Sequence, residues 1–381
     1  MKILMINYEF PPLGGGGGVA CYHIARELAK THSVDYLTTA YRGLPNFEVI
    51  DGINVYRVPV LGRKELSTAT LLSMLTFFPS SLFRGIKLCR LNQYDIINAH
   101  FVIPSGPSGI ILSKRFNIPI VMSVHGGDIY DPSKKWSPHK HFALRKVITW
   151  LLGNSNRITA QSNNTKSNTN TYYHPNKEIY VIPLGFIVPT FKKTTREELY
   201  LSDDDIILIS VGRLVKRKGY EYAIQALSKL HHPNLKYLII GDGPEEENLK
   251  DLAKQLGVES KVEFLGFVSE NMKFQYLSIS DMYILSSLHE GFGICLLEAM
   301  YCGLPIVATN NGGQTDFLTD AKNALMVPVE DGDELGSKIH NLLDNKKLRQ
   351  QMIEINKRDI KKFPIQNIAG EYTKIFLQCK R

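Results

Sequence analysis

An α/β chain with two Rossmann-like, doubly wound parallel-sheet domains is predicted by three features of the sequence. Strand-like apolar runs alternate with amphipathic helical segments. The alternation stops around residues 183–201 and then restarts. The 381 residues also exceed what one ordinary core serves.

In the first half, apolar runs at 3–8, 34–38, 53–58, 96–100, 118–125, 157–161 and 179–182 read as buried strands, and 22–30, 106–116 and 142–152 as helices between them. Pro183, Pro189 and the charged run 192–198 then read as a linker. In the second half the strands are 206–211, 237–240, 262–265, 282–285, 306–308 and 324–327, and the helices 219–230, 245–256, 293–302 and 333–343. Ligands of open α/β sheets bind beyond the carboxyl ends of the strands, so the expected site lies there, with each domain holding one half of a reaction.

Composition narrows the class. An apolar fraction of 44% with 22% charged residues fits a soluble globular protein. Five cysteines, Cys21, Cys89, Cys295, Cys302 and Cys379, form no CxxC pair and are odd in number, which argues for a reducing compartment and offers no metal-ligand spacing. The apolar N-terminus breaks too early for a signal peptide, and segment 68–83 is interrupted by Ser73, Thr76, Pro79 and Ser80, so no transmembrane helix is expected. The net charge of +8 is uneven: residues 1–183 hold 20 Lys+Arg against 10 Asp+Glu, and the remainder 25 against 27. A basic N-terminal half suits anionic lipid, nucleic acid or a phosphorylated substrate, or merely solubility.

The segment with most chemical content is His289-Glu290-Gly291-Phe292-Gly293, running into the apolar stretch that holds Glu298, Leu296, Leu297 and Met300. Two carboxylates eight residues apart, one on a loop and one inside the following helix, can face one polar ligand, and Gly291 and Gly293 let backbone N–H groups approach it. Arg213 and Lys218 follow the strand 206–211 on a turn that opens a helix, a natural diphosphate position, although a solvated basic turn has the same look. Gly241-Asp242-Gly243-Pro244 repeats the strand, glycine turn and helix, and alone is more often a plain tight turn.

The five glycines 14–18 follow Pro11 and Pro12, and some of them allow close approach to a phosphate or sugar; Gly15, Gly17 and Ala20 also fit GxGxxA, but the prolines separate them from their strand and Asp35 falls too early for a dinucleotide site. His125-Gly126-Gly127-Asp128 closes another strand, where a histidine exposed at the edge can donate to a sugar hydroxyl or phosphate, the bland alternative being a packed histidine. Asp203-Asp204-Asp205 spells DxD but precedes its strand, and reads as a turn.

Together the PP-x-GG opening, HGGD, VGRLVxxKG, GDGP, E-x7-E with its internal GFG, and Gly303-Leu304-Pro305 followed by Gly312-Gly313 resemble the retaining family 4 glycosyltransferases of the GT-B fold, over nearly the whole chain. The resemblance implies an N-terminal acceptor domain, 1–185, joined by a C-terminal crossover helix, 364–381, and a donor domain, 186–363. It implies that Arg213 and Lys218 hold a nucleoside diphosphate, Glu298 the ribose, and Glu290 with Gly291, Phe292 and Gly293 the donor sugar. Gly17, Gly18 and Gly243 would line the donor, His125 the reacting centre and Asp128 the acceptor side. Asp316 and Pro183-Leu184-Gly185 depart from the family pattern and bear on the donor's identity.

Breaking the anomeric bond puts negative charge on the leaving diphosphate, which Arg213, Lys218 and a helix N-terminus would stabilise without metal or cofactor. As the family implies, configuration is retained by front-face attack. The expected partners are a nucleotide-sugar, UDP-linked by preference, and a saccharide or polyprenyl-linked acceptor for cell-surface polysaccharide. Arg63-Lys64, the apolar stretch 66–83 and the basic edge Arg84, Lys87 and Arg90 suit a cytoplasmic enzyme at the inner, anionic face of a membrane, although a core helix with a solvated face reads the same way. Two other classes are weighed: a NAD-dependent oxidoreductase, which needs an acid at the end of the second strand, and a nucleic-acid-binding protein, for which no module is present.

Overall fold

The computed structural model describes residues 1–66 and 68–379, so Ser67 in the apolar stretch 66–83, and residues 380 and 381 of the C-terminal segment, lie outside the described residues. The chain divides into two compact units, one of residues 1–131, 135–187 and 363–381, the other of 132–134 and 188–362.

Unit 1 contains, in chain order, β1 (Lys2–Ile6), α1 (Gly16–Ala29), β2 (Ser33–Thr39), β3 (Phe47–Ile50), β4 (Ile53–Val58), α2 (Leu71–Leu91), β5 (Ile96–His100), α3 (Val102–Phe116), β6 (Ile120–Val124), α4 (Phe142–Gly153), β7 (Arg157–Ala160), α5 (Asn163–Tyr173) and β8 (Ile179–Val181). Its sheet order is β3-β4-β2-β1-β5-β6-β7-β8, parallel except for the β3–β4 hairpin. Successive β1 side chains enter opposite layers, Leu4 and Ile6 on one face and Ile3 and Met5 on the other, which is why the strand reads as a continuous apolar run.

Unit 2 contains β9 (Ile206–Val211), α6 (Tyr220–Leu227), β10 (Leu235–Ile240), α7 (Glu246–Gln255), β11 (Val262–Gly266), α8 (Glu270–Ile279), β12 (Met282–Leu285), α9 (Ile294–Cys302), β13 (Ile306–Thr309), β14 (Leu325–Val327), α10 (Gly332–Asp344) and α11 (Lys346–Asp359). Its all-parallel sheet runs β11-β10-β9-β12-β13-β14. The last helix, α12 (Ile365–Cys379), returns to unit 1, where Ile365, Ile368, Tyr372 and Phe376 join the layer beneath α1.

Each strand order reverses direction once, between β1 and β5 in unit 1 and between β9 and β12 in unit 2. Loops leaving those neighbouring strands diverge to opposite faces and open a crevice. The Gly-rich loop follows β1 and His100 ends β5; the Arg213–Lys218 turn follows β9 and the Glu290 loop follows β12. The glycine-rich, Arg213–Lys218 and Glu290 segments thus occupy the switch points, while the His125 turn follows β6 and the Gly243 turn follows β10.

Several elements differ from the sequence expectation. Helix α1 begins at Gly16, not 22, because packing selects helix over glycine's poor propensity. The exposed hairpin strand β3 was not anticipated, although Asp51-Gly52, both at positive φ, forms the tight turn that Asp-Gly signals. Helices α5, α8 and α11 were also missed; their signals are the caps Ser162, Ser269 and Asn345, each accepting a bond from the first turn. Residues 71–91 form one helix containing Pro79, so the basic edge 84–90 is its second half. Asp203-Asp204-Asp205 is a turn before β9, where Asp205 accepts from Ser202 N at 2.8 Å and pairs with Lys236 at 3.0 Å. Asp35 lies inside β2, buried and bonded by Asn54 and Tyr94, away from any ligand edge. No helix among the described residues is long and apolar enough to cross a membrane.

Candidate active site

In unit 2 the site is built by two loops that hold each other. The short helical turn Lys216–Lys218 ends at Gly219, whose positive φ of 58° and close approach to Ser286, where a Cβ would lie 2.3 Å from the carbonyl oxygen, exclude other residues. Leu288 N donates to Arg217 O at 2.8 Å, and Ser286 Oγ to Lys218 O at 3.1 Å. The β9 turn is therefore fastened to the β12 loop, and side chains from both are fixed in register.

That fastening brings Lys218 Nζ to 2.6 Å from Glu290 Oε1, a pair the sequence reading had not joined. Ser287 Oγ donates to the same oxygen at 2.7 Å, and Arg217 Nη1 stands 3.6 Å from Oε2 while donating to His289 O at 2.6 Å. Burial works to raise the Glu290 carboxyl, but the Lys218 and Arg217 charges and the Lys218 and Ser287 bonds hold it at about 2. Gly313 N donates to Glu290 O at 2.7 Å, which fixes the backbone from the β13 side.

Arg213 projects half-buried from the loop after β9. That loop interlocks with the one after β10: Leu214 N donates to Asp242 O at 2.7 Å, and a Cβ on Gly243 would lie 2.3 Å from Leu214 O. Gly243 serves this loop-to-loop packing, so its place in the site is to hold Arg213.

Glu298 lies a little over one turn inside α9, not two, because the helix begins at Ile294. It accepts from Lys273 Nζ at 2.6 Å, and Lys273 also pairs with Glu270 at 2.9 Å. Burial raises the Glu298 carboxyl against the pull of Lys273. Lys273, on α8, was missed because the helix was missed. Phe292 is buried with its ring 5.0 Å from that of Phe317, so the Gly291–Gly293 segment offers a ligand its backbone and not the phenyl ring. Leu296, Leu297 and Met300 are buried, as the apolar pattern of that helix requires.

In unit 1 the histidine differs most from expectation. His125 is not exposed at the sheet edge; it retains 6% of its surface, since Cys21 of α1, His100 of β5 and Phe101 surround it. Its Nε2 lies 2.9 Å from His100 Nδ1 and 3.6 Å from Cys21 Sγ, and its ring stacks on Phe101 at 4.4 Å. Burial depresses it to about 4, against a weaker bond from Gln161, so the imidazole is neutral at pH 7. Its Nδ1 is buried and makes no hydrogen bond of ordinary geometry.

Asp128 is buried with both oxygens committed to backbone, Oδ2 to Val102 N at 2.7 Å and Oδ1 to His125 N at 3.1 Å. Burial pushes it up to about 6 despite those bonds. It braces the His125 turn and the start of α3. Gly17 and Gly18 sit in the first turn of α1, ahead of the first helical bond from Val19 N to Gly15 O, where N–H groups face outward. A Cβ on Gly17 would meet Phe101 at 2.8 Å, and one on Gly18 would meet Glu9 at 2.8 Å.

Among the described residues, two triplets combine metal-ligand side chains, Cys21–His100–His125 and His232–His340–Asp344. Burial raises the Cys21 thiol, whose Sγ lies 3.3 Å from His100 Nδ1.

Comparison with known proteins places these residues in context. The model for glycosyl transferases group 1 matches residues 191–359, and that for glycosyltransferase family 4 matches 14–187. An uncharacterized glycosyltransferase of Methanocaldococcus jannaschii is 30% identical, with 99% of this chain and 98% of that one covered. The N-acetyl-alpha-D-glucosaminyl L-malate synthase of Bacillus anthracis is 28% identical, with the same coverage of 99% and 98%. Among solved structures, sucrose-phosphate synthase from Thermosynechococcus elongatus superposes with a TM-score of 0.88 at 20% identity, covering 99% of this chain and 98% of that one. Anabaena HepE in complex with UDP-glucose gives 0.78 at 20% identity, covering 99% and 100%.

Proposed function

The chain belongs to the family 4 glycosyltransferases of the GT-B fold, and from that premise we propose that it is a retaining enzyme transferring a sugar from a UDP-linked donor to a saccharide or lipid-linked acceptor of cell-surface polysaccharide. The observation that carries the donor assignment is the Lys218–Glu290 pair at the switch point of unit 2, with Arg213 on the same loop as Lys218. Arg213 and Lys218 neutralise the diphosphate, Glu290 with the Gly291–Gly293 backbone holds the sugar hydroxyls, and Glu298, oriented by Lys273, takes the ribose. The UDP complex of HepE and the glucosaminyl transfer named for the Bacillus anthracis relative are consistent with such a donor.

In this scheme charge develops on the leaving diphosphate, and fixed cations stabilise it without a metal. Glu290 is held as an anion by Lys218, Ser287 and Arg217 and directs its oxygens to them, which favours a positioning role over attack on the anomeric carbon. Retention then follows from front-face attack, with the departing phosphate taking the acceptor proton. The enzyme works at the inner face of a membrane, supported by the basic first half of the chain.

A thermal-shift panel of UDP-, GDP- and ADP-sugars, with NAD and an oligonucleotide as the rival ligands, tests the reading. Stabilisation by a UDP-sugar alone is expected; stabilisation by NAD or by the oligonucleotide alone overturns it.

A further inference from the structure

Helix α4 buries Ile148, Leu151 and Leu152 in the core of unit 1, yet its opposite side is also apolar. Phe142, Val147 and Trp150 are 71%, 45% and 50% exposed, and Trp136, just before the helix, is 74% exposed. Cations accompany them: Lys146 Nζ lies 4.5 Å from the Phe142 ring centroid, and Lys114 Nζ of α3 lies 5.0 Å from that of Trp150. An open groove of about 550 Å³ beside this face is lined by Arg145, Lys146, Trp150 and Tyr172, among others. Helix α3 also packs against α2, which exposes Leu71, Leu72, Leu75 and Phe83 ahead of Lys87 and Arg90.

The charge around α4 has one sign. Residues 132–177 contain eight Lys+Arg and no Asp or Glu, and the acids just before them, Asp128 and Asp131, are buried. A surface that sets Lys114 and Lys146 among exposed aromatics and aliphatics has one complementary partner. A second copy docking through the same face would meet it with the same positive field. Nucleic acid supplies phosphates but no apolar phase for Phe142, Leu72 or Phe83. An anionic bilayer supplies both, with aromatic rings at the headgroup level and cations among the phosphates.

We propose that the α4 face, with Trp136 and Lys114, docks this protein on an anionic lipid bilayer. The inference rests on the membrane-side reaction proposed above, and the test separates the two because binding is read without donor or acceptor. The chain's two tryptophans, Trp136 and Trp150, both lie in this surface, so intrinsic fluorescence reports on it directly.

The full chain is mixed with vesicles of phosphatidylglycerol and phosphatidylcholine, or of phosphatidylcholine alone, at low and high salt. A blue-shifted emission and co-flotation with the anionic vesicles only, weakened by salt, are expected. Phe142→Ala/Trp150→Ala, which keeps the charges, and Lys114→Glu/Lys146→Glu, which keeps the aromatics, should each weaken partitioning about tenfold or more at an unchanged melting temperature. Lys254→Glu/Lys347→Glu makes the same charge change on exposed positions of unit 2 and should leave binding unchanged. No co-flotation, equal loss in the unit 2 control, or an emission shift with a single-stranded oligonucleotide in place of vesicles overturns the proposal. Docking with no sugar-nucleotide stabilisation leaves this surface standing and sinks the donor reading instead.

Discussion

Replacing Glu290 by glutamine removes one charge and almost no volume, and it separates the two jobs that the Lys218–Glu290 pair performs. In the folded protein the Glu290 carboxyl lies at about 2, against 4.5 for an unperturbed glutamate. That gap of about 2.5 pH units, at about 1.4 kcal/mol per unit, corresponds to about 3 kcal/mol favouring the charged form. Because the folded value is depressed, this stability is present above pH 4.5 and is lost as pH falls from there towards 2. At pH 7 the Glu290→Gln variant should lose about 3 kcal/mol, since Lys218 and Arg217 keep their charges without the carboxylate between them. In a domain of this size the melting midpoint should then fall by roughly 6–12 °C.

Transfer should fall further than stability explains, by about a hundredfold or more, because the sugar loses a fixed contact near the reacting carbon. The double variant Lys218→Met/Glu290→Gln removes both buried charges and should regain most of the lost stability without regaining transfer. Urea unfolding and the release of nucleoside diphosphate from the stabilising sugar-nucleotide measure the two quantities. Near wild-type transfer in Glu290→Gln would show that the carboxylate does not touch the donor. If the double variant were no more stable than the single one, the ion pair would not be the source of the loss.

Further expectations follow from the same geometry. Glu298→Gln should weaken protection by the sugar-nucleotide and raise KM more than it lowers kcat, since ribose contacts are made equally in ground and transition states; an unchanged KM would remove Glu298 from the nucleotide site. His125 is held at about 4, below its ordinary 6.5, so it should cost stability as pH falls from 6.5 to 4 and add none above; a histidine titration near 6.5 at this ring by NMR would contradict the buried placement. Asp128→Asn keeps one acceptor but leaves either Val102 N or His125 N without its bond, which should cost about 1–3 kcal/mol in urea unfolding; no loss would mean that the brace is not needed. Gly17→Ala places a methyl 2.8 Å from the Phe101 ring, so it should destabilise unit 1 by about 1–3 kcal/mol, and a neutral outcome would show that Phe101 can move aside.

What the sequence by itself determined was carried by local signals. Apolar runs located thirteen of the fourteen strands among the described residues, since a strand covered on both faces must be apolar throughout. The sequence likewise placed Lys218 and Glu290 on loops that follow strands and Glu298 inside the next helix, where the structure has them. The elements missed were those whose stability comes from outside themselves. Polar α5 depends on its Ser162 cap and packing, and α1 begins among glycines because Phe101 and Glu9 leave no space for side chains. Partnership was beyond the sequence altogether. Lys218 meets Glu290 across 72 residues, Lys273 meets Glu298 across 25, and Cys21, His100 and His125 come from α1, the end of β5 and the turn after β6. Spacing along the chain names the ends of elements, but only the order of strands in a sheet decides which ends are neighbours. That order turned His125 from an exposed donor into a buried neutral ring, packed against Cys21 and His100.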